Sequence, residues 1–226
     1  MSTHSYARAG RGKVCHSRGF STVELVIVML LLLAIASMAV PGYTSITRYL
    51  RIAGDVRDLQ GLTAQAKMRA AEDFTHARVR ANLDANTFQL EVWDKTANGG
   101  AGCWKTDGDS VNQCTATSSP VQRLSEAVQF GFASVGAGAP NPQAVIAQAP
   151  ACSSGVAGGP AGSSIANTAC IEFNSRGIPV ALSGSPTAND ALYVTDSNTV
   201  YGVTVITSGL IQNWTTEVAT TAWRPR

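Results

Sequence analysis

A single carboxylate stands at the start of a long apolar run, where a charge is costly. Glu24 follows the segment Arg18-Gly19-Phe20-Ser21-Thr22-Val23 and precedes the apolar residues Leu25 to Val40. Counted from Phe20, this run reaches the length of about 20 residues that crosses a bilayer. Insertion scales penalise a charged side chain at the centre of such a span by roughly 2.5–3.5 kcal/mol. Glu24 therefore needs a partner charge or a function.

The residues before Phe20 form a basic leader with Arg8, Arg11, Lys13 and Arg18 and no acid. A secretory signal also has a basic region, but its apolar core is shorter and ends at a small-residue cleavage site. Small residues at Ala34 to Ala39 keep that processing open as an alternative. The length of the run favours a membrane anchor, and the basic flank favours a cytoplasmic N-terminus with the rest of the chain outside.

The segment from Gly19 to Leu25 resembles the processing motif of type IV prepilins and type II secretion pseudopilins. In that family a membrane peptidase cuts after the glycine, and the new N-terminal phenylalanine is N-methylated. The resemblance implies cleavage between Gly19 and Phe20, methylation of Phe20, an assembly role for Glu24 and a helix bend at Pro41. It implies as partners the prepilin peptidase, an inner-membrane assembly platform, the membrane, and other pseudopilins or minor pilins.

Cleavage would leave an ammonium group on Phe20 inside a medium of low dielectric constant. A carboxylate of one subunit can then pair with the amine of the next, and such a pair is stronger in lipid than in water. We therefore expect Glu24 to set the axial register of subunits entering a filament. The implied location is a single-pass protein of the inner membrane with a periplasmic head, which a filament can extract.

Removal of residues 1–19 would change the charge and the chemistry of the chain. The full sequence has a net charge of +2, whereas the remainder has 13 basic and 15 acidic side chains, or −2. His4, His16 and Cys15 would also leave, so only His76 remains. The mature composition does not favour nucleic acid as a partner.

Four cysteines lie beyond the anchor: Cys103, Cys114, Cys152 and Cys170. An even number in an oxidising compartment predicts disulfides, and three pairings are open. We favour the pairing of sequence neighbours, which closes short loops. The spacing contains no C-x-x-C pair and His76 is distant, so we predict no zinc site. We also expect no cofactor.

Beyond the apolar run, helical spacing continues. Apolar residues recur at three- and four-residue steps from Ile46 to Ala70, which predicts one long helix from about Phe20 to Phe74. We divide the chain into the leader 1–19, a transmembrane half 20–41, an amphipathic half 42–75 and a β-rich head 76–226. The arginines between Arg48 and Arg57 are interpreted as a solvated face.

After Phe74 the apolar period shortens to two. Arg78–Leu83 and Thr87–Trp93 predict an antiparallel hairpin around the turn Asp84–Asn86. Further strands are predicted in 123–132, 169–174, 179–182, 191–195, 201–207 and 210–214, with Ser208-Gly209 as the last turn. Residues 136–162 are rich in Gly, Ala and Pro and predict a long loop insertion.

Two segments of the head resemble the GspH/FimT group of this family: Cys170 to Val180, with its Gly177 and Pro179, and Tyr201 to Gly209. The resemblance implies an α+β protein, in which a long N-terminal helix packs on an antiparallel β-sandwich-like head. It implies a minor structural subunit of a type II secretion pseudopilus that supports protein secretion. The alternative is a FimT-like minor pilin of type IV pili, active in pilus initiation or DNA uptake.

The DNA alternative is weakened at the last turn. FimT-like proteins of DNA uptake carry a basic Gly-Arg-x-Arg motif there, whereas this chain has Gly209-Leu210-Ile211-Gln212. Arg224 and Arg226 offer a weak substitute beside Trp223, although we expect the tail to be unstructured. No catalysis is predicted, because His76 lacks a nucleophile motif nearby and no G-x-S-x-G sequence occurs. Asp107-Gly108-Asp109 is too sparse for a calcium loop and is interpreted as a surface turn.

Overall fold

The structure is a computed structural model that describes residues 19–108, 114, 121–140, 143, 145–181, 183–188, 190–220 and 222–226. The predictions on the leader, including its four basic residues and Cys15, lie outside these residues, as do the side chains of Val40 and Pro41. The chain divides into two compact units, Met1–Ile46 and Thr47–Arg226.

One helix, α1, covers Thr22–Glu72 and is 51 residues long. The sequence predicted this helix to within two residues at each end. The helix is continuous through position 41. The bend predicted at Pro41 stays a prediction, because the side chain of Pro41 lies outside the described part of the chain. In the second unit its apolar stripe is buried: Ile52, Val56, Leu59, Ala66 and Ala70. The exposed arginines Arg48, Arg51 and Arg57 agree with the predicted solvated face.

Eleven strands are assigned in the described residues, and every pairing is antiparallel. They are β1 (Ala77–Asn82), β2 (Thr87–Asp94), β3 (Cys103–Thr106), β4 (Gln122–Arg123), β5 (Gln129–Phe130), β6 (Thr168–Phe173), β7 (Pro179–Val180), β8 (Asp190–Thr195), β9 (Thr199–Val205), β10 (Ile211–Glu217) and β11 (Arg224–Pro225). The first sheet has the order β3-β2-β1-β6-β7, with β4 also on β2, and the second has the order β11-β10-β9-β8-β5. The protein is therefore α+β, as predicted.

One hydrophobic core joins the helix to both sheets. Alternate residues of β1 and β6 face it, including Val79 and Ile171, and so do Leu192 and Val203 of the second sheet. A period of two places every second side chain of a strand on one face. The opposite face of β1 therefore carries Arg78 and Arg80, and this face needs a separate cover.

The predicted loop insertion supplies much of that cover. A second apolar cluster combines Val135, Ala139 and Ile146 with Ala191, Tyr193 and Val200 on the outer face of the second sheet. Further along, Cys152 and Ser153 are fully buried, and Ser153 contacts Arg78 on the outer face of the first sheet. The long connection between β5 and β6 thus packs on both sheets.

Three strand predictions need correction. Instead of one strand in 123–132, β4 and β5 are separated by a turn, because Ser125 binds the buried Asp55 of α1 through its backbone N–H and its hydroxyl, both at 2.9 Å. Ala127 in this turn has φ of 67°. The predicted strand 179–182 is only β7. The C-terminal tail is not unstructured but forms β11, which pairs Arg224 with Thr215 of β10.

Candidate functional site

The junction between Gly19 and Phe20 is open. Both residues precede the first residue of α1, and the Phe20 side chain is 80% exposed. A Cβ added to Gly19 would meet no other atom within 4 Å. Packing among the described residues therefore does not require glycine at position 19. A requirement for glycine there must come from another molecule that binds this junction.

Glu24 lies in the first turn of α1, where the helix dipole favours a negative charge. Ser21 caps this end: its Oγ accepts a hydrogen bond from the backbone N–H of Val23 at 3.4 Å, and its carbonyl accepts one from Leu25 at 3.1 Å. No hydrogen bond or ion pair joins the Glu24 carboxylate to another residue in the described part of the chain. Within the described residues, the carboxylate at this exposed helix start is thus without a charged partner.

The first part of α1 is long and apolar enough to cross a membrane. Its most apolar 18-residue window has a mean hydropathy of 2.8, and none of that window is buried. The large apolar side chains from Leu25 to Ile35 are 46–67% exposed. Such a continuous apolar surface needs a lipid or protein environment to cover it.

The two head segments that resembled the GspH/FimT group meet at one side chain of α1. The Lys67 ammonium donates a hydrogen bond to the Gly209 carbonyl at 2.9 Å. The Lys67 stem packs against Gly177, where an added Cβ would lie 3.1 Å from it, and a Cβ on Gly209 would lie 2.5 Å from the Gly177 carbonyl oxygen. Both glycines have positive φ, 69° and 75°. The two turns therefore dock the β-sheets on the helix.

A buried ion pair on the outer face of the first sheet was missed by sequence reasoning. The Arg78 side chain is 1% exposed and binds the Glu91 carboxylate at 2.6 Å and the Ser153 carbonyl at 2.7 Å. Its guanidinium lies 3.8 Å from the centroid of the Trp104 ring. Burial lowers the pKa of Arg78, whereas the pKa of Glu91 is lowered, against the effect of its burial, by the charges of Arg78 and Arg80.

A cavity of about 420 Å³ borders this ion pair and is lined in part by Arg80, Gln89 and Trp104. Its polar groups are largely engaged with one another. Arg80 binds the second oxygen of Glu91 at 3.1 Å, and Gln89 donates to the same oxygen at 2.7 Å. The arrangement is that of a structural network that holds the loop cover, rather than of groups aimed at a ligand.

His76 is also engaged in the head. Its Nδ1 lies 2.8 Å from Oε1 of Glu172, a carboxylate that is 9% exposed. Asp190 is nearly fully buried, and its Oδ2 has no hydrogen-bond partner among the described residues. Burial, with a smaller contribution from the Glu172 charge, raises the pKa of Asp190 to about 7. Among the described residues, His76 makes its side-chain hydrogen bond with Glu172 and none with a hydroxyl or thiol nucleophile.

The cysteines form two disulfides, Cys103–Cys114 and Cys152–Cys170, with Cα–Cα distances of 5.5 and 5.0 Å. This is the pairing of sequence neighbours that the spacing favoured. Among the described residues no group of three or more His, Cys, Asp or Glu side chains could hold a metal ion. The Asp107 carboxylate instead pairs with Arg69 of α1 at 3.1 Å, and Asp109 lies outside the described residues.

The C-terminal arginines lie away from the last hairpin turn. Arg224 and Arg226 are exposed, and the segment is held by Trp223, whose Nε1 donates to the Ala137 carbonyl at 3.0 Å. Arg226 donates a hydrogen bond to the Tyr49 hydroxyl at 3.3 Å.

The comparisons with known proteins return no match: neither a family model, nor a curated protein, nor a solved structure is similar to this chain.

Proposed function

We propose that this chain is a minor subunit of a pilin-like filament that is anchored through α1, processed between Gly19 and Phe20, and assembled through Glu24. A type II secretion pseudopilus is the first candidate, and a type IV pilus is the alternative. The observation that carries the proposal is the Glu24 carboxylate, which has no partner among the described residues, at the start of a helix whose apolar first part is exposed. A carboxylate in this position gains most from a cationic partner on another chain, since the interaction strengthens as the dielectric constant falls.

The open junction supports the processing step. Because neither backbone strain nor packing requires glycine at position 19, a peptidase with a narrow subsite is the simplest source of the requirement. Cleavage there creates the ammonium group of Phe20, four residues before Glu24. The cation that Glu24 of one subunit needs is therefore supplied by the processed end of its neighbour.

The head fits an extracytoplasmic location. Two disulfides persist in an oxidising compartment such as the periplasm. The motif turns at Gly177 and Gly209 clamp the second half of α1, so that a pull on the helix is transmitted to both sheets. A subunit extracted from a membrane by its helix needs such a connection.

The test is co-expression of the full chain with a prepilin peptidase, followed by intact-mass measurement. We expect the loss of residues 1–19 and one methyl group on Phe20. Gly19→Leu should block both changes. Gly61→Leu is the matched control, because Gly61 is also exposed and an added Cβ there meets no atom within 4 Å; it should be processed normally.

Assembly is tested separately with the processed chain. Glu24→Gln keeps the shape and removes the charge, so it should reduce co-purification with neighbouring pilin-like subunits while leaving cleavage intact. Processing of Gly19→Leu at the wild-type rate, or assembly of Glu24→Gln at the wild-type level, would contradict the proposal. Secretion and pilus assays of a strain that lacks the chain distinguish the two machines.

A further inference from the structure

The last strand brings an arginine from the end of the sequence to the start of the second unit. The Arg226 guanidinium lies 5.8 Å from the ring centroid of Tyr49 and hydrogen-bonds its hydroxyl, across 177 residues of sequence. The Arg226 backbone N–H donates to the Asn213 carbonyl at 3.0 Å. With Trp223 packed on Tyr193 at 5.7 Å, the segment is fixed at both ends.

Two further arginines lie on α1 within two residues of Tyr49, the residue that Arg226 contacts. Arg48 and Arg51 flank Tyr49 on α1, and all three side chains are exposed. Two carboxylates face this group. Glu126 lies 3.9 Å from Arg51 but is itself 90% exposed, and Asp196 lines the same cavity as Arg48 and Arg51. Because such solvated pairs are weak, the guanidinium groups stay available to a stronger anion.

The position of this surface along the chain limits what it can meet. Arg48 lies on α1 eight residues after Val40, the end of the apolar run, which is about 12 Å along an α-helix. Leu50 beside it is 60% exposed, and Tyr49 is 48% exposed. Exposed aromatic and basic residues next to an apolar span are typical of the layer of lipid headgroups.

Membrane topology does not account for these arginines. Under the proposed function they lie on the side of the membrane opposite to the leader, and basic residues on that side weaken the charge bias that orients the span. Their placement works against insertion and therefore indicates a separate use after insertion.

We propose that Arg48, Arg51 and Arg226 bind the phosphate groups of anionic phospholipids in the leaflet that faces the head, with Tyr49 and Leu50 at the headgroup layer. The inference rests on the proposed membrane anchoring of α1. Guanidinium groups donate forked hydrogen bonds to phosphate, and basic side chains close to an anionic membrane surface are attracted to it. The contact would hold the base of the head at the membrane until a filament extracts the subunit.

The experiment uses the full chain in a zwitterionic detergent with an equimolar mixture of phosphatidylglycerol and phosphatidylcholine. Native mass spectrometry counts the lipids that remain bound. We expect phosphatidylglycerol to be preferred by at least about five-fold, the factor that one arginine at an anionic surface contributes. Arg48→Gln/Arg51→Gln/Arg226→Gln should bring the ratio close to one, and raised ionic strength should reduce the wild-type preference.

Two further variants separate the binding surface from general effects. Arg57→Gln/Arg123→Gln/Arg176→Gln removes three exposed arginines elsewhere and should keep the wild-type ratio. Arg48→Lys/Arg51→Lys/Arg226→Lys keeps the charge but lacks the guanidinium fork, so it should retain only the part of the preference that depends on charge.

A wild-type ratio of one, or an unchanged ratio in the triple glutamine variant, would overturn the inference. A salt-dependent shift of duplex DNA that the same three arginines control, without a lipid preference, would assign the surface to nucleic acid instead. The anchoring itself is tested by carbonate extraction of membranes that contain the chain. Its failure would reject the proposed function, whereas equal lipid counts with intact anchoring would reject only this inference.

Discussion

At the scale of residues, the head contains charges that serve its own cohesion. Arg78 places a full guanidinium in the interior, with Glu91 and Ser153 as partners and Trp104 against its face. Removing one partner of such a buried pair leaves an uncompensated charge, which typically costs 3–5 kcal/mol. Alternation along β1 places Arg78 opposite the core, but only the fold reveals that the outer face is buried too.

Asp190 is a buried carboxyl whose charged form the fold disfavours. A carboxyl pKa of about 7, against 3.8 in an unfolded chain, means that the folded protein binds a proton that the unfolded chain has lost. The stabilising contribution is therefore present below about pH 4 and is lost as pH rises towards 7. The charge of Glu172 adds to the effect of burial in the same direction.

We predict that Asp190→Asn removes this part of the pH dependence. Between pH 4.5 and pH 8 the wild type should lose unfolding free energy relative to the variant. The loss should be at most about 4 kcal/mol, given the size of the pKa shift. Urea unfolding of the full chain in detergent micelles measures it. Asp196→Asn is the control at a half-buried carboxylate in a turn, and equal pH slopes for wild type and Asp190→Asn would contradict the prediction.

At the scale of elements, the contact of α1 with the two motif turns decides where the helix sits on the sheets. Position 209 combines a φ of 75° with a carbonyl oxygen only 2.5 Å from the place of a Cβ. A side chain there meets both backbone strain and a clash with the Gly177 turn. The Lys67 hydrogen bond to the same residue would be displaced as well.

We predict that Gly209→Ala destabilises the head by about 2–4 kcal/mol, since strained positive φ alone costs of the order of 1–3 kcal/mol. Gly184→Ala is a close control, because Gly184 has a φ of 80° but open space around its Cβ position. It should lose only the strain contribution, about 1 kcal/mol. Thermal unfolding of both variants gives the comparison, and equal losses would show that the docking contact adds nothing.

The same elements show how far sequence reasoning reached. The long helix, the first hairpin and the buried strands β6, β8 and β9 were predictable because apolar periods of 3.6 and 2 persist over many residues. Strands β4, β5 and β11 are two residues long, and the residues beside them are held by partners elsewhere: Asp55 binds Ser125 between β4 and β5, and Asn213 binds Arg226 after β11. No local pattern encodes these contacts.

The candidate site divides in the same way. The prediction for Gly19, Phe20 and Glu24 depends only on their spacing along the chain and could therefore be made from the sequence. The Arg78–Glu91 pair and the approach of Arg226 to Tyr49 could not be predicted in this way, since 13 and 177 residues separate the partners. Their identification requires the sheet register and the path of the tail.

At the scale of the whole head, the connection between β5 and β6 acts as a cover for both sheets, and one disulfide fixes it. Cys152 is fully buried and is linked to Cys170 of β6. The next residue, Ser153, accepts the Arg78 hydrogen bond, and its hydroxyl donates to the Pro160 carbonyl at 2.6 Å. That carbonyl also accepts from the Trp104 indole at 3.2 Å.

We therefore predict that Cys152→Ser/Cys170→Ser loosens the cover before the sheets unfold. A bridge that closes a loop of this size, 18 residues, contributes about 3 kcal/mol in the chain-entropy description. The variant should show lower unfolding free energy. It should also show greater quenching of tryptophan fluorescence by acrylamide, because the connection that covers Trp104 would be held less tightly. Cys103→Ser/Cys114→Ser removes the other bridge, which closes a shorter loop of 11 residues and does not involve the segment of Ser153. This variant should lose less unfolding free energy and leave the Arg78–Ser153 contact in place. If quenching in Cys152→Ser/Cys170→Ser stayed at the wild-type level, the cover would not depend on its disulfide, and the buried Arg78–Ser153 contact would have to hold it.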